Sequence, residues 1–530
     1  MEFHQALNDG QFPPRWASHF FGNIGSPVLM LNYHLPYFVA DGFVRLGFSF
    51  FDAFKLTLGL SFVLSGVFMF FALKKMFSAS AALTGSLLYM WAPYRFVDLY
   101  VRAAFGESFS FIFPPILLYS IMQSSFLLTA LGFAGLFLSH PVASAFFAPF
   151  FLGLSVVYHG FVKKSWKHVL RTCFAFLLAF AFAAYNLVPT LTLTKFTHYN
   201  PSNSTPLNHF PSLRQSLTAM TWGYAGSTPN NENEFLSYHV GYPHSMVFII
   251  TFIFLCVALF KQHQKNIGIV VYTFFTVCIA FFVMQKISTP VWNTLHLQFI
   301  LDFPWRILLF LAFATSVLSA WVVISTTQSL RTALVVFLVA FALRSNINHI
   351  HINKIWPWGI EHYIENYGTG DAYGEYASKV RFSQNSFDTQ SRIDVLEGNT
   401  KIIYTKNLSH DIQATLNVQR SSRIRFNVMH FPGWKYWINN QRVEVGKTCI
   451  LSPYTGPNPP TEYTADSSGL LECPLDPGTH VVRAYFTEPK EQKAGNLISL
   501  AGFGVFLWIA FQSFFPHTTK KQTLLRSRKK

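Results

Sequence analysis

Three short stretches of this 530-residue chain gather ionisable side chains at spacings that suit acid–base chemistry or anion binding. The first is DGQFPPRW, which carries Asp9, Arg15 and Trp16. A carboxylate on such a loop could take a proton from an acceptor hydroxyl, and the indole could stack on a sugar ring. In the plainer reading Asp9 caps a turn at Gly10 and Arg15 sits among headgroups. The second is YRFVDLYVRAAFGE, from Tyr94 to Glu107. Its spacing predicts a helical face shared by Arg95, Asp98 and Arg102. Guanidinium forks there could bind phosphate while Asp98 and Glu107 orient them. The alternative is an interfacial helix with internal salt bridges. The third is DFPWRILLF, where Asp302 and Arg306 stand four apart and could either pair with each other or grip a lipid phosphate. His140, His239 and His244 fall at helix ends, where histidine is more often a hydrogen-bonded anchor than a ligand.

These residues matter because of their surroundings. The chain is 51% hydrophobic and 18% aromatic, with 12% charged residues. A soluble domain carries about a quarter charged residues. Apolar runs such as Phe54–Leu73 and Leu170–Leu193 have the length of a helix crossing a core of about 30 Å. A charge inside such a span costs roughly 2.5 to 3.5 kcal/mol, so each one is a functional hypothesis. The reading is a polytopic α-helical membrane protein with about eleven spans, near 54–73, 78–93, 108–122, 124–139, 141–160, 170–194, 244–260, 267–284, 303–325, 332–346 and 494–515.

The net charge of +16 is distributed rather than patched. Lys74 and Lys75, Lys163 to Arg171, Lys261 and Lys265, Arg331, and the tail KKQTLLRSRKK all fall on one side of this zigzag. The positive-inside rule makes that side cytoplasmic, with no nucleic-acid site implied. The two long polar insertions then lie outside. Residues 195–243 read as an ordered outer loop or a lid. Residues 347–493 read as an extracytoplasmic β-sandwich-like domain before the last helix and basic tail, 494–530. In that domain Ile424, Phe426 and Val428 alternate with Arg425 and Asn427, and Asn439–Asn440 offers turn chemistry. Cys449 and Cys473 share this compartment, so a disulfide is permitted there. Residues 1–53 form a further outer segment before the membrane core, 54–346. Either that segment is translocated by the first helix, or, as its loop-like character favours, a membrane helix precedes it. No phosphate loop, nucleophile elbow or dinucleotide turn is present.

DGQFPPRW, YRFVDLYVRAAFGESFSFIFPPILL and FLSHPVASAF resemble the bacterial membrane proteins filed as 6-pyruvoyl-tetrahydropterin synthase related, although the sequence holds no pterin-synthase motif. That family looks like a branch of the GT-C multispan glycosyltransferases, and LQFILDFPWRILLF and FPGWKYWINN are similar to segments of related proteins. The resemblance covers most of the chain. It implies a GT-C-like core in the bacterial inner membrane, with transfer at the outer face from a polyprenyl-phosphate-linked sugar to a lipid or glycan acceptor. The catalytic acid of the first outer loop would be Asp9 or a residue preceding Met1. Asp98 and Glu107 would position cations or hold a divalent metal. Arg15, Trp16, Arg95, Arg102, Asp302, Arg306 and His140 would bind substrate. Arg102→Ala should then abolish transfer and leave the protein in the membrane. The alternative is a non-catalytic scaffold or lipid-glycan binding protein, an inactive truncated copy.

Overall fold

The computed structural model describes residues 1–197, 206–219, 221–223, 227–229, 231, 236–258, 266–350, 357–359, 362, 391–453 and 467–514. Lys261, Lys265, the basic tail, part of the polar segment 198–235 and most of 351–390 lie outside the described residues. The chain divides into two compact units. One combines Met1–Leu56, Tyr185–Asn203 and Asn353–Gly495, and the other combines Thr57–Ala184, Ser204–Ile352 and Asn496–Lys530.

The protein is polytopic and helical, with a β domain near its C-terminus. Seven described helices are long and apolar enough to cross a membrane: Phe50–Met76, Phe105–Met122, Pro141–Val162, Trp166–Phe196, Pro304–Ser325, Gln328–Ser345 and Lys490–Ser513. An eighth span exists if the pair Ile267–Val283 and Lys286–Leu295, bent by 87°, counts as one. The expected spans near 78–93, 124–139 and 244–260 are the shorter apolar helices Ala79–Met90, Phe126–Ser139 and Tyr242–Ala258. Only described length sets these helices apart from the seven, because all are apolar. Within the helical unit Pro304–Ser325 is nearly all buried. It is approached closely by Ala79–Met90, where a Cβ on Gly85 would lie 2.7 Å from the Ser316 carbonyl oxygen. A small residue at such a crossing lets two backbones pack without a hydrophobic driving force.

The other unit is built on seven strands: β1 (Ile393–Asn407), β2 (Asp411–Phe426), β3 (Trp434–Ile438), β4 (Gln441–Arg442), β5 (Ile450–Pro453), β6 (Ser467–Leu475) and β7 (Gly478–Phe486). They form one antiparallel sheet, not the two packed sheets of a sandwich. The long strand β2 explains this. Strand β1 pairs with it from end to end, while β7 pairs with residues 411–418 and β6 with 422–426. Strands β6 and β7 therefore run in succession along β2, and each carries its own outer partner, β5 or β3. Alternation along β2 puts Ile412, Ala414, Leu416, Ile424 and Phe426 on one buried face. Arg425 points to Asp394, whereas Asn427, which alternates with the same apolar residues, is buried and donates to the Ser391 carbonyl. Asn439 and Asn440 both take positive φ, 50° and 63°, in the two-residue turn between β3 and β4.

The apolar face is covered by the start of the chain instead of a second sheet. Trp16, Phe21, Ile24, Met30 and Leu31 enter the same core as the strands. Trp16 is fully buried, with its ring 5.3 Å from Trp434 and 5.5 Å from Phe486. Gln11 clamps this segment, accepting from the Trp16 and Arg15 amides and donating to Ser409 Oγ. Gly25, at φ +84°, has to be glycine, since a Cβ there would overlap the Trp16 indole. Cys449 and Cys473 are bridged across 24 residues of sequence. Closing a loop of that length removes about 3.5 kcal/mol of unfolded-state entropy in the chain model.

Candidate functional site

Within the helical unit, charged side chains meet where helices start, stop or change pitch. Helix Pro93–Phe96 passes directly into a π-helical turn, Val97–Val101, and the left-handed residue Ala103 (φ 46°) then reverses the chain into helix Phe105–Ser110. This reversal brings Glu107 back onto Arg102. The guanidinium Nη1 donates to Asp98 Oδ1 at 2.6 Å, Glu107 Oε2 at 2.8 Å and the Tyr94 hydroxyl at 3.1 Å. Tyr94 in turn donates to Glu107 Oε1 at 2.5 Å. The Arg102 guanidinium also lies over the Trp305 ring, 4.6 Å from its centroid. A π-turn interrupts the regular helix and is a frequent mark of functional sites.

The expected face shared by Arg95, Asp98 and Arg102 is only half realised. Asp98 and Arg102 pair, but Arg95 donates to the Ser108 carbonyl and Ser61 Oγ and stacks on Phe111, 4.2 Å away. The wider pitch of the π-turn rotates the residues after it out of register with Arg95. That guanidinium is fully buried and its contacts are those of packing.

A second backbone irregularity supplies the other half of the cluster. Asp302 takes φ 47° and ψ −58°, and the Phe303 amide donates to the Leu301 carbonyl, which defines a γ-turn of the strained hand. Strain of this kind, of order 1–3 kcal/mol, persists where the surroundings enforce it and is concentrated at functional sites. The turn sets Asp302 Oδ2 2.8 Å from Arg306 Nη1, and Arg306 Nε comes within 3.9 Å of Glu107 Oε2. His140 completes the group. Its Nδ1 accepts from the Ala143 amide at the start of helix Pro141–Ser155, so Nε2 carries the proton and faces Glu107 Oε2 at 4.0 Å.

Burial separates the roles within the cluster. Asp98 and Glu107 side chains are 0% and 2% exposed, whereas Asp302 is 27% and Arg306 14%. Asp302, Arg306 and Arg102, the last 18% exposed, are thus the side chains a ligand can reach, while Asp98 and Glu107 are closed off. Among the described residues Asp98 Oδ2, Trp305 Nε1 and Arg306 Nε have no hydrogen-bond partner. An unpaired buried polar group costs about 1–3 kcal/mol, which favours a ligand that supplies the missing bond. An apolar cavity of about 290 Å³ lies alongside, lined by Phe146, Phe150, Val283, Leu301, Ile307 and Phe310. Leu301 and Ile307 are the chain neighbours of Asp302 and Arg306, so an apolar groove and a charged cluster share one short turn. No group of three or more His, Cys, Asp or Glu among the described residues could hold a metal. Asp98 and Glu107 converge on a guanidinium instead.

The structure therefore brings together Asp98, Arg102, Glu107, His140, Asp302 and Arg306. Asp9, Arg15 and Trp16 belong to the other unit and have their own partners in it. Asp9 accepts from Gln5 and the Ser409 amide, Arg15 pairs with Glu488, and Trp16 is core. His239 and His244 anchor backbone carbonyls of Leu217 and Leu88. Sequence reasoning passed over Tyr94 and Trp305, although each adjoins an arginine that it did select. An aromatic next to an arginine beside an apolar span was the available signal. Comparison with known proteins returns no matching family model, no matching curated protein and no matching solved structure.

Proposed function

We propose that the helical unit is a membrane glycosyltransferase acting on a polyprenyl-phosphate-linked sugar. The observation that carries this reading is the pairing of an apolar groove with Asp302, Trp305 and Arg306 on one turn. A lipid phosphate has the same two-part chemistry, an apolar chain ending in an anion. Arg306 and the Trp305 indole would donate to the phosphate oxygens. Arg102, fixed by two carboxylates, would hold the field around them. Asp302, the reachable carboxylate, would take the proton of the acceptor hydroxyl as its oxygen attacks the anomeric carbon. The bond from that carbon to the phosphate oxygen breaks, and polyprenyl phosphate leaves with the bonding electrons. This assigns to Asp302 the base role that the family resemblance gives to Asp9. The Cys449–Cys473 bridge supports an extracytoplasmic β domain, since disulfides persist in oxidising compartments. The host membrane would be the bacterial inner membrane, with lipid or glycan as acceptor.

The test is lipid extraction from cells with the gene, without it, and complemented by Asp302→Asn. A polyprenyl-linked sugar should accumulate without the gene and disappear on complementation with the wild type. Asp302→Asn should reduce turnover by about 10²-fold or more while its protein level holds. Equal complementation by Asp302→Asn, or no change in the lipid pool, would overturn the reading.

A further inference from the structure

The unit that contains the sheet encloses a second cavity, of about 350 Å³, and every residue lining it is polar. Asp9 and His19 come from the start of the chain, and Arg392, Tyr404, Asn407 and Ser409 from the region of β1. Most of these groups are fixed by partners, Gln5, Ser18, Asn23, Ser391 and Ser409 among them, that themselves belong to the lining. Asp9 accepts from the Ser409 amide at 2.7 Å and from Gln5 Nε2 at 2.8 Å, which leaves lone pairs on both oxygens. Arg392 Nη1 donates to the Ser18 and Asn23 carbonyls at 3.2 and 2.8 Å, anchoring one arm of its fork. His19 Nδ1 lies 2.5 Å from Glu2 Oε1, and the same carboxylate accepts the His19 amide. With Nδ1 turned to Glu2, Nε2 is left without a bond among the described residues. The Tyr404 hydroxyl is held by Ser391 and the Ile393 amide, so its ring is a fixed, half-open face.

The inventory is specific in kind. Asp9 offers acceptors, Arg392 donors and Asn407 both, and the Tyr404 ring belongs to the same lining. Charge argues against an anion. One guanidinium is offset by Asp9 within the lining and by Glu2 just behind it, whose carboxylate and that of Asp9 both act on Arg392. An uncharged molecule with many hydroxyls matches rigid donors and acceptors of both types, and its ring C–H face matches tyrosine. We propose that this cavity is a binding site for a neutral saccharide of roughly one to two rings. The inference does not depend on the transferase reading, since it would hold if the helical unit catalysed nothing.

The experiment uses the full chain in lipid nanodiscs, because glycoside detergents would compete. Calorimetric titration is run with maltose, N,N′-diacetylchitobiose and mannobiose, against inorganic phosphate and glucuronate. At least one neutral disaccharide should bind saturably. Asn407→Ala and Asp9→Asn should each weaken it about tenfold. Asn407 is exposed and its side chain makes no bond among the described residues, so its truncation should leave the thermal midpoint in place. Three results would overturn the proposal: no saturable binding of any neutral disaccharide, tighter binding of phosphate or glucuronate, or affinities unchanged in both variants.

Discussion

Two carboxylate clusters in this protein use the same pairing chemistry at different depths. In the helical unit Asp98 and Glu107, 0% and 2% exposed, share Arg102, itself 18% exposed. In the sheet unit Asp411, 5% exposed, is held by Arg483 and Lys406, which are 39% and 50% exposed. In the first cluster both carboxylates are enclosed and the cation is mostly so. The second has its cations in water. An enclosed ion pair gains little over an apolar isostere, yet its loss on one side is costly because a bare charge remains in low dielectric. A water-facing pair is screened and contributes little in either direction. The Asp98–Arg102–Glu107 group is therefore intolerant of losing its one shared cation, while the sheet unit rests on its apolar core.

Arg102→Ala is the severest way to break this contrast. It strands two buried carboxylates against each other, a loss of about 3–5 kcal/mol. Folded protein recovered from membranes should fall sharply. Recovery at the wild-type level with a wild-type thermal midpoint would show that Arg102 is not the counter-ion the geometry describes. The sequence taken alone leads to the opposite expectation, lost activity with retained protein, because spacing reveals that Arg102 can face Asp98 but not that Glu107 also turns onto it. That second contact depends on one left-handed alanine.

Local features of both units were legible in the sequence. Apolar runs identified the helices, alternation along β2 identified its buried face, and Asn439–Asn440 identified the turn between β3 and β4. Such features are set by period and by residues that tolerate positive φ. What the sequence concealed is non-local. Trp16 reads as a ring for sugar stacking, but it meets Trp434 across more than four hundred residues of chain. The single sheet reads as a sandwich because alternation tells only that one face is covered, not by what. The cluster at Arg102 and Arg306 was visible as two separate i, i+4 pairs. Their union through Glu107 required the γ-turn at Asp302 and the π-turn at 97–101, which no periodicity announces.

Trp16→Ala sharpens the contrast from the other side. If the sheet unit rests on apolar packing, removing a fully buried indole should cost about 3–5 kcal/mol and exceed any single charge removal in that unit. Denaturant unfolding followed by limited proteolysis between 391 and 489 would measure it. A cost no greater than that of Lys406→Ala would mean that the N-terminal segment covers the sheet without supporting it.

The smallest effect is electrostatic and has a definite sign. Burial of Asp411 pulls its carboxyl upward, but hydrogen bonds from Arg483 and Lys406 outweigh that and hold it below the usual aspartate value. A carboxyl with a depressed folded pKa contributes stability that is complete above its unfolded pKa, about 3.9, and is lost as pH falls through the folded value. The sheet unit should therefore lose stability in acid below about pH 4. Because both cations are solvent-facing, the pair is expected to contribute only about 0.5 kcal/mol, and salt should reduce it further. Asp411→Asn should flatten the acid limb of the stability curve and leave neutral-pH stability lower by a similar amount. An unchanged acid limb in Asp411→Asn would locate the acid sensitivity elsewhere, and a loss at neutral pH as large as that of Arg102→Ala would erase the distinction between the two clusters.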